Sequence, residues 1–371
     1  MKKKIGILTF HRSINYGAYL QAFALCRVTQ NAVGKDVHVE IIDYESEKAF
    51  NSYYSYKKSN PQLYKEFKKA LHKLKLSPQY LRTDDLTKVY DFLNMQEYDC
   101  IIVGSDEVWK INGMRGFPNA YWLSCDLRNT LKIAYGVSAR NEKNSIPIEY
   151  IANLEKSLKS FNYVGVRDNI TKQLIFELGV NKVNINCDPV FLYDFGYKAE
   201  YRRKLYKKRK LVKNKRLFVV MIPEKRLVQL IKRHFGERYN IVSVYDINEY
   251  ADANLIDIDP FEWIKVISSA DIVVTNRFHG ICFSIKYNIP FLALDEYDNE
   301  ETSKIHDLLK RYGLEELYCS YHGYHSDKRR FSVLERIEEI VNKCFCFDEI
   351  VETIKRDGDS YFEYITKVEM G

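Results

Sequence analysis

Ala270-Asp271-Ile272-Val273-Val274-Thr275-Asn276-Arg277-Phe278-His279-Gly280 is the stretch that decides how this chain folds. A short apolar run ending in polar residues reads as a buried strand. Gly280-Ile281-Cys282-Phe283-Ser284-Ile285-Lys286-Tyr287 then reads as a helix, with Pro290 soon after its end. Arg277 and His279 therefore fall on a strand-to-helix turn. In open α/β sheets, ligands bind at such turns, at the carboxyl ends of strands. The helix N-terminus adds free N–H groups and the positive end of the dipole. A guanidinium placed there can clamp a carboxylate or phosphate bidentately. An imidazole two residues on can supply a proton near neutral pH. Taken alone, the same spacing also fits a locally paired Arg and a His that caps a turn.

Outward from this stretch the chain alternates strand and helix. Lys4 to Phe10 opens as a strand. Tyr16 to about Gln30 follows as a helix with Ala18, Ala22, Leu25 and Thr29 on one side, and Val37 to Asp43 as a second strand. This is a βαβ unit, the signature of a parallel sheet. Residues 45–95 break the rhythm with Tyr53-Tyr54-Ser55-Tyr56 and Lys-rich helical text, and are read as a helical insertion. Asp99–Val103, Leu131–Tyr135, Tyr163–Val166 and Val183–Ile185 read as further strands. Ile170–Leu178 reads as a helix stopped by Gly179. The alternation restarts with strands at Leu217–Ile222, Ile241–Tyr245, Ile272–Val274 and Phe291–Leu294, and helices at Leu227–Phe235 and Phe261–Ser268. Helical stretches near 331–343 and 347–368 close the chain. The pattern predicts an α/β fold of two Rossmann-like, doubly wound domains facing a cleft. The expected limits are 1–195, a basic junction at 196–216, 217–345, and a C-terminal helix at 346–371 that crosses back to the first domain.

Bulk properties narrow the function. A length of 371 residues suits two domains. The 29 Tyr and 20 Phe pack cores first, but flat rings also meet the C–H faces of sugars. The net charge of +7 is concentrated: Lys198–Arg216 holds 11 Lys/Arg against the single Glu200, leaving the rest of the chain mildly acidic. A general polyanion binder is therefore excluded, and no aromatic-interleaved basic groove points to nucleic acid. The basic block reads either as a contact for anionic lipid or as a solvated helix at a junction. Of the eight Cys, only Cys344 and Cys346 are close in sequence, and nothing completes a zinc pattern. Reduced thiols in the cytoplasm are the simplest account, with the inner membrane face as an address if the basic block engages lipid. The run Ile5–Phe10 is too short for a secretory leader, and no stretch approaches the apolar length of a membrane span.

Four further strand ends carry polar motifs. After the first strand comes Ser13-Ile14-Asn15-Tyr16-Gly17, where Asn15 is a good N-cap and Gly17 permits close approach of a ligand. Its spacing is not that of a dinucleotide loop. Gly104-Ser105-Asp106-Glu107-Val108-Trp109 pairs a carboxylate with an indole, which suits a sugar: Asp106 accepts hydroxyl protons and Trp109 stacks. An N-cap Asp beside a packed Trp is the alternative. Tyr135-Gly136-Val137-Ser138 offers backbone donors and a hydroxyl. Gly165-Val166-Arg167-Asp168 offers an N-cap Asp and an Arg free to point outward.

Taken in order, these segments resemble the polysaccharide pyruvyl transferase family. The resemblance rests on Asn15-Tyr16-Gly17, Gly104–Trp109, Tyr135–Ser138, Gly165–Asp168, Cys187-Asp188-Pro189 and Arg277–Gly280, and it covers residues 4 to about 310. Lys304 also falls where the family tends to carry a Lys. The resemblance implies a GT-B arrangement. It implies transfer of pyruvate from phosphoenolpyruvate onto two sugar hydroxyls as a cyclic ketal, with release of phosphate. The acceptor it implies is a lipid-linked or nucleotide-linked glycan precursor in the synthesis of a surface or capsular polysaccharide. The insertion at 45–95 lies outside the common pattern and leaves the choice of acceptor open.

The residue chemistry agrees with that expectation. Phosphoenolpyruvate carries a carboxylate and a phosphate, which Arg167 and Arg277 would hold better than Lys. His279 is the expected general acid toward the methylene carbon. Arg277, Arg167, Ser138, Lys304 and Gly280 form the expected donor set. Asn15, Tyr16, Gly17, Asp106 and Trp109 form the expected acceptor set. No cofactor or metal is expected. Two other readings fit the same residues: a GT-B glycosyltransferase using a nucleotide sugar, and a non-catalytic glycan-binding scaffold.

Overall fold

The computed structural model describes every residue except 1, 128, 141–144, 197–199, 296–301, 322–326 and 371, and in addition leaves out the side chains of 55, 56, 58, 59, 327, 328 and 368–370. Lys198, at the start of the basic block, lies outside the described residues. The chain divides into two compact units. The first comprises Met1–Pro61, Lys68–Tyr193 and Ile354–Gly371, and the second Gln62–Phe67 and Asp194–Thr353.

The first unit begins with β1 (Lys4–Leu8), α1 (Tyr16–Val33) and β2 (His38–Ile41). The inserted segment follows as β3 (Tyr44–Glu45), α2 (Glu47–Ser59), α3 (Pro61–Leu71, of which Gln62–Phe67 is grouped with the second unit), β4 (Leu81–Arg82) and α4 (Leu86–Met95). It is thus helical with a short parallel pair, Tyr44 opposite Leu81. The main sheet resumes with β5 (Cys100–Asp106), β6 (Leu131–Val137), α5 (Ile148–Lys159), β7 (Tyr163–Val166), α6 (Asn169–Glu177) and β8 (Asn184–Ile185). Its order is β2-β1-β5-β6-β7-β8, parallel throughout. A parallel sheet is covered on both faces, so its strands read as continuous apolar runs. Every residue of β5 is buried.

The second unit contains α7 (Tyr201–Arg209), β9 (Arg216–Met221), α8 (Lys225–Phe235), β10 (Tyr239–Val244), β11 (Ala253–Leu255), α9 (Pro260–Ser268), β12 (Ile272–Thr275), α10 (Phe278–Lys286), β13 (Phe291–Asp295), α11 (Lys304–Arg311), β14 (Tyr318–Ser320), α12 (Asp327–Val341) and most of α13 (Asp348–Arg356). The sheet order is β11-β10-β9-β12-β13-β14, again all parallel. α9 starts with a full capping box, Asp259 and Glu262, with Pro260 in its first turn.

Ranked by sequence, the first sheet runs 2-1-3-4-5-6 and the second 3-2-1-4-5-6, the two common doubly wound orders. The strand order reverses between β1 and β5 in one sheet and between β9 and β12 in the other. These are the places where open sheets bind ligands.

Three differences from the sequence reading have local causes. The terminal helical stretch is not continuous. It breaks near Gly358 into α13 and α14 (Asp359–Met370), and a Cβ at Gly358 would stand 3.1 Å from Lys355 O and 3.2 Å from the Leu192 side chain. α14 belongs to the first unit, where the Tyr361 hydroxyl meets Thr29 Oγ1 at 2.7 Å and Ser360 Oγ meets the Tyr163 hydroxyl at 2.9 Å. The basic block is also more than a solvated junction. Arg202 pairs with Asp271 at 2.6 Å, Arg209 pairs with Asp257, and the Tyr206 hydroxyl donates to Lys215 O at 2.8 Å. These contacts fasten α7 to the second unit. Finally, α10 starts at Phe278 rather than Gly280, because Arg277 is extended and serves as its N-cap.

Candidate functional site

In the second unit, Arg277 follows β12 directly at the switch point. Its backbone N–H donates to Thr275 Oγ1 at 3.0 Å, which turns the chain into α10. The side chain makes no capping bond. Its guanidinium lies 4.2 Å from the Tyr245 ring centroid and 3.5 Å from Asp246, with the Arg and Asp side chains 36% and 35% exposed. Tyr245 and Asp246 follow β10, so the fork is propped by a strand end two places away, across β9, and is still open to solvent. Aromatic support of this kind orients a guanidinium without using up its donors.

His279 sits inside the first turn of α10 rather than on a free turn, and is buried edge-on against Phe278. Lys304, the first residue of α11, brings its Nζ to 5.3 Å from the Phe278 ring. Arg277, His279 and Lys304 therefore gather around one helix start. Gly280 has a packing reason: a Cβ there would come 2.9 Å from Met221 Cε and 3.0 Å from Thr275 Oγ1. Its bare backbone lets α10 approach β9 and β12.

In the first unit, Arg167 is not free to point outward, contrary to the sequence reading. Its side chain is 2% exposed, and it donates to Asp188 at 2.7 Å and to Asp106 at 3.2 Å. Burial opposes its charge, but Asp106 and Asp188 outweigh burial and raise its pKa. Asp106 adopts φ 81° and accepts from Glu107 N at 2.9 Å, with its side chain 11% exposed. Asp188 caps the short turn at Pro189–Phe191 through Val190 N. Asp188 lies outside the donor and acceptor sets expected from the sequence. Its pairing with Arg167 spans 21 residues and has no local signature.

Ser138 is buried beside Asp106, to which its backbone N–H donates at 2.9 Å. The hydroxyls of Ser138 and Ser105 have no hydrogen-bond partner among the described residues. Buried hydroxyls in that state take ordered water or a ligand. The expected donor set is thus divided, with Arg167 and Ser138 in the first unit and Arg277, Gly280 and Lys304 in the second.

Two members of the expected acceptor set are corrected. Trp109 is fully buried, stacked on Trp122 at 4.7 Å and 12°, with Phe161 against it and its Nε1 donating to Tyr121 O at 2.9 Å. Its faces are taken, so it cannot stack on a sugar. Tyr16 is fully buried in the core. Asn15 is exposed, and its Oδ1 accepts from Gly17 N at 2.9 Å and Ala18 N at 3.4 Å. The first donors of α1, Gly17 N among them, are therefore already occupied.

A polar cluster that the sequence reading missed follows β1 and β2. Asp43 accepts from Arg12 Nε and Nη2 at 2.6 and 2.7 Å, and lies 3.0 Å from His11 Nε2. Burial alone would raise the Asp43 pKa, but the His11 and Arg12 contacts bring it down to about 2. No group of three or more His, Cys, Asp or Glu among the described residues is arranged to hold a metal ion. All eight cysteines are free. No helix among the described residues is long and apolar enough to cross a membrane.

Comparison with known proteins follows the same lines. The sequence model of the family described as "Polysaccharide pyruvyl transferase" matches residues 15–299. No curated protein matches the chain by sequence. Among solved structures, the chain is similar to the UDP-GlcNAc 2-epimerase of Methanocaldococcus jannaschii, at 11% identity and TM-score 0.57, over 99% of this chain and 100% of that one. It is also similar to the Neisseria meningitidis UDP-GlcNAc 2-epimerase, solved bound to UDP-GlcNAc, at 10% identity and TM-score 0.55, over 98% and 100% of the two chains. At that identity the likeness concerns the fold, which is GT-B.

Proposed function

The chain belongs to the polysaccharide pyruvyl transferase family, and on that premise we propose that it moves pyruvate from phosphoenolpyruvate onto two hydroxyls of a glycan precursor. One observation carries the reading: the open fork of Arg277 at a switch point, grouped with His279 and Lys304 at the start of α10. This is a compact set of nitrogen bases suited to a small trianion. Arg277 holds the carboxylate or phosphate, and Lys304 adds a second charge.

His279 delivers a proton to the methylene carbon, which becomes the methyl group, and C2 becomes oxocarbenium-like. A sugar hydroxyl adds at C2 and loses its proton. The C2–O bond to phosphate breaks, and the phosphate takes the electron pair. A second hydroxyl adds at the same carbon and closes the ketal. One proton enters at carbon and two leave the hydroxyls, and the balance departs on phosphate. Asp106 orients or deprotonates acceptor hydroxyls, and Ser105 and Ser138 supply further hydrogen bonds. Arg167, already engaged by two carboxylates, acts here as a positioning residue that holds Asp106 in place.

The Neisseria epimerase of like fold holds a nucleotide sugar, which supports a nucleotide-linked acceptor. The test is release of inorganic phosphate from phosphoenolpyruvate across a panel of acceptor glycans. Acceptor-dependent phosphate release, with a ketal in the product, is expected. Nucleotide release from a UDP-sugar in its place would establish a glycosyltransferase. Glycan binding without turnover on any acceptor would establish a scaffold.

A further inference from the structure

A cavity of about 360 Å³ lies within the first unit. Small-molecule sites have volumes of roughly 300–1,000 Å³. Part of the lining is apolar and aromatic, from Leu86 and Tyr90 of α4 and from Phe117 and Pro118. Phe117 is held in place by Trp122, edge-on at 5.6 Å, and by Tyr150 at 5.2 Å. The rest of the lining is polar, and Lys132 belongs to it. Lys132 is the second residue of β6, whose other end leads to Ser138. At the rise of a strand the two stand about 20 Å apart.

Lys132 is the unusual member of this lining. The residue is 6% exposed. Its Nζ donates to Leu123 O at 2.9 Å, to Cys125 O at 2.5 Å and to Ser160 Oγ at 3.2 Å. All three acceptors are neutral, and no carboxylate bonds to Nζ among the described residues. Asp126 acts on it only through space. Burial pushes the Cys125 thiol up to about 11, so near neutral pH it carries no charge. A buried Lys is as a rule paired. Burial pulls the pKa of Lys132 down, as expected of a charge that lacks compensation.

An anion in the cavity would supply that compensation, and one contact is ready to yield to it. Ser160 makes the longest of the three bonds and is an exposed residue. Its hydroxyl also donates to Ser157 O at 2.7 Å, so it keeps a partner when an oxyanion replaces it on Nζ. Ser124 Oγ and Ser157 Oγ stand 2.5 Å apart. That contact uses one of their two hydroxyl protons and leaves the other to give. Asn153 and Lys156, both exposed residues of α5, add an amide and a second ammonium. A fixed aromatic ring, hydroxyls, an amide and a buried cation together suit a sugar that carries a charge. The ring meets its C–H face, the hydroxyls and amide meet its own hydroxyls, and the ammonium meets its oxyanion.

We propose that this cavity is a second ligand site, for a monosaccharide bearing an oxyanion that pairs with Lys132. The site does not depend on the pyruvyl transfer reading. A sugar phosphate and a uronic acid offer the same chemistry to the ammonium, and the probes separate them. Titration calorimetry on the full chain compares glucose 1-phosphate, glucuronate and glucose. In the parent chain, one charged probe is expected to bind about 10- to 100-fold tighter than glucose, the range for one charged hydrogen-bonded contact. Whichever charged probe binds tighter identifies the oxyanion.

Ser160→Asp is the deciding variant. It gives Lys132 a carboxylate from the chain itself, at an exposed position that tolerates the change. The binding event should vanish from it. Anion binding around Arg277 is common to both chains and cancels in the comparison. Lys132→Met should lose the event as well. That variant leaves Leu123 O and Cys125 O without their partner, so if it does not fold, Ser160→Asp decides alone. Identical titrations of the parent and Ser160→Asp, or binding of glucose as tight as that of both charged probes, overturn the proposal.

Discussion

Arg277→Lys should separate binding chemistry from stability. In the folded chain this guanidinium has an ion pair to Asp246 at 3.5 Å, with the two side chains 36% and 35% exposed, and a cation–π contact with Tyr245 at 4.2 Å. An exposed pair of that kind contributes roughly 0–1 kcal/mol, and the ring contact about 0.5–1 kcal/mol at such exposure. A Lys keeps part of both. The net cost to folding should therefore stay near 1 kcal/mol, a shift of about 2–4 °C in Tm for a unit of this size. The planar fork is different, because an ammonium cannot reproduce it. Losing a charge-assisted bidentate contact to the substrate should cost on the order of 2–4 kcal/mol, a ~30- to 1000-fold drop in kcat/KM for phosphoenolpyruvate. The assay pairs initial rates of phosphate release with a thermal melt of the same preparation. A kcat/KM within about threefold of the unsubstituted enzyme would refute the clamp, since a group that binds the substrate in two places cannot be replaced so cheaply. A fall in Tm well beyond ~4 °C would refute the other half of the reasoning, that Arg277 is lightly held.

Four further outcomes follow from the same geometry. His279→Gln should lower kcat ~100-fold or more with donor affinity largely kept; for the unsubstituted enzyme in heavy water, mass spectrometry of the ketal should find one deuterium in the methyl group, and a product without it removes protonation at carbon from the scheme. Arg167→Met should destabilise the first unit by roughly 3–5 kcal/mol, because it strands Asp106 and Asp188 with a buried charge each; a denaturant midpoint unchanged from the parent would contradict the buried network. Asp43 has its folded pKa depressed to about 2, so its contribution is present above the unfolded value near 4 and lost as pH falls toward 2, about 2 kcal/mol in all; the stability gap between the parent and Asp43→Asn should be level from pH 7 to 5 and close below pH 4, and a gap independent of pH argues against the assignment. Exposed Lys204, Lys207 and Lys210, changed together to Gln, should weaken binding to anionic vesicles at low salt by roughly 1 kcal/mol per charge near the surface, and absence of vesicle binding by the parent chain leaves α7 with a structural part only.

The sheets were legible because parallel strands buried on both faces leave a plain mark. Cys100-Ile101-Ile102-Val103 and Leu217–Ile222 are continuous apolar runs, and each lies in a central strand. In the two main sheets the strands that escaped notice, Ala253-Asn254-Leu255 and Tyr318-Cys319-Ser320, are three residues long and stand at the sheet edges, where burial on both faces fades. Capping was legible for a similar reason: Asn15 and Asp168 act on N–H groups two or three residues away. What could not be read was the distribution of partners over long separations. The closure of Trp109 depends on Trp122 and Phe161, and the capture of Arg167 depends on Asp188. Nothing near Trp109 in sequence distinguishes an indole offered to a sugar from one already covered.

The buried indoles give each unit its own optical signature. The chain has three Trp. Two of them, Trp109 and Trp122, form a stacked pair within the first unit at 4.7 Å and 12°. The third, Trp263, lies in the second unit with its Nε1 donating to Met221 Sδ at 3.2 Å, and Met221 is the residue against which Gly280 packs. Coupled indoles give a near-ultraviolet dichroism that vanishes when their stack opens, whereas a single indole on a thioether reports through the intensity and colour of its emission. Dichroism thus follows the unit holding Asp106, and emission from a Trp109→Phe, Trp122→Phe chain follows the unit holding Arg277. The order in which the two lose structure, and which of them responds when phosphoenolpyruvate is added, can be recorded from the protein's own chromophores without a label.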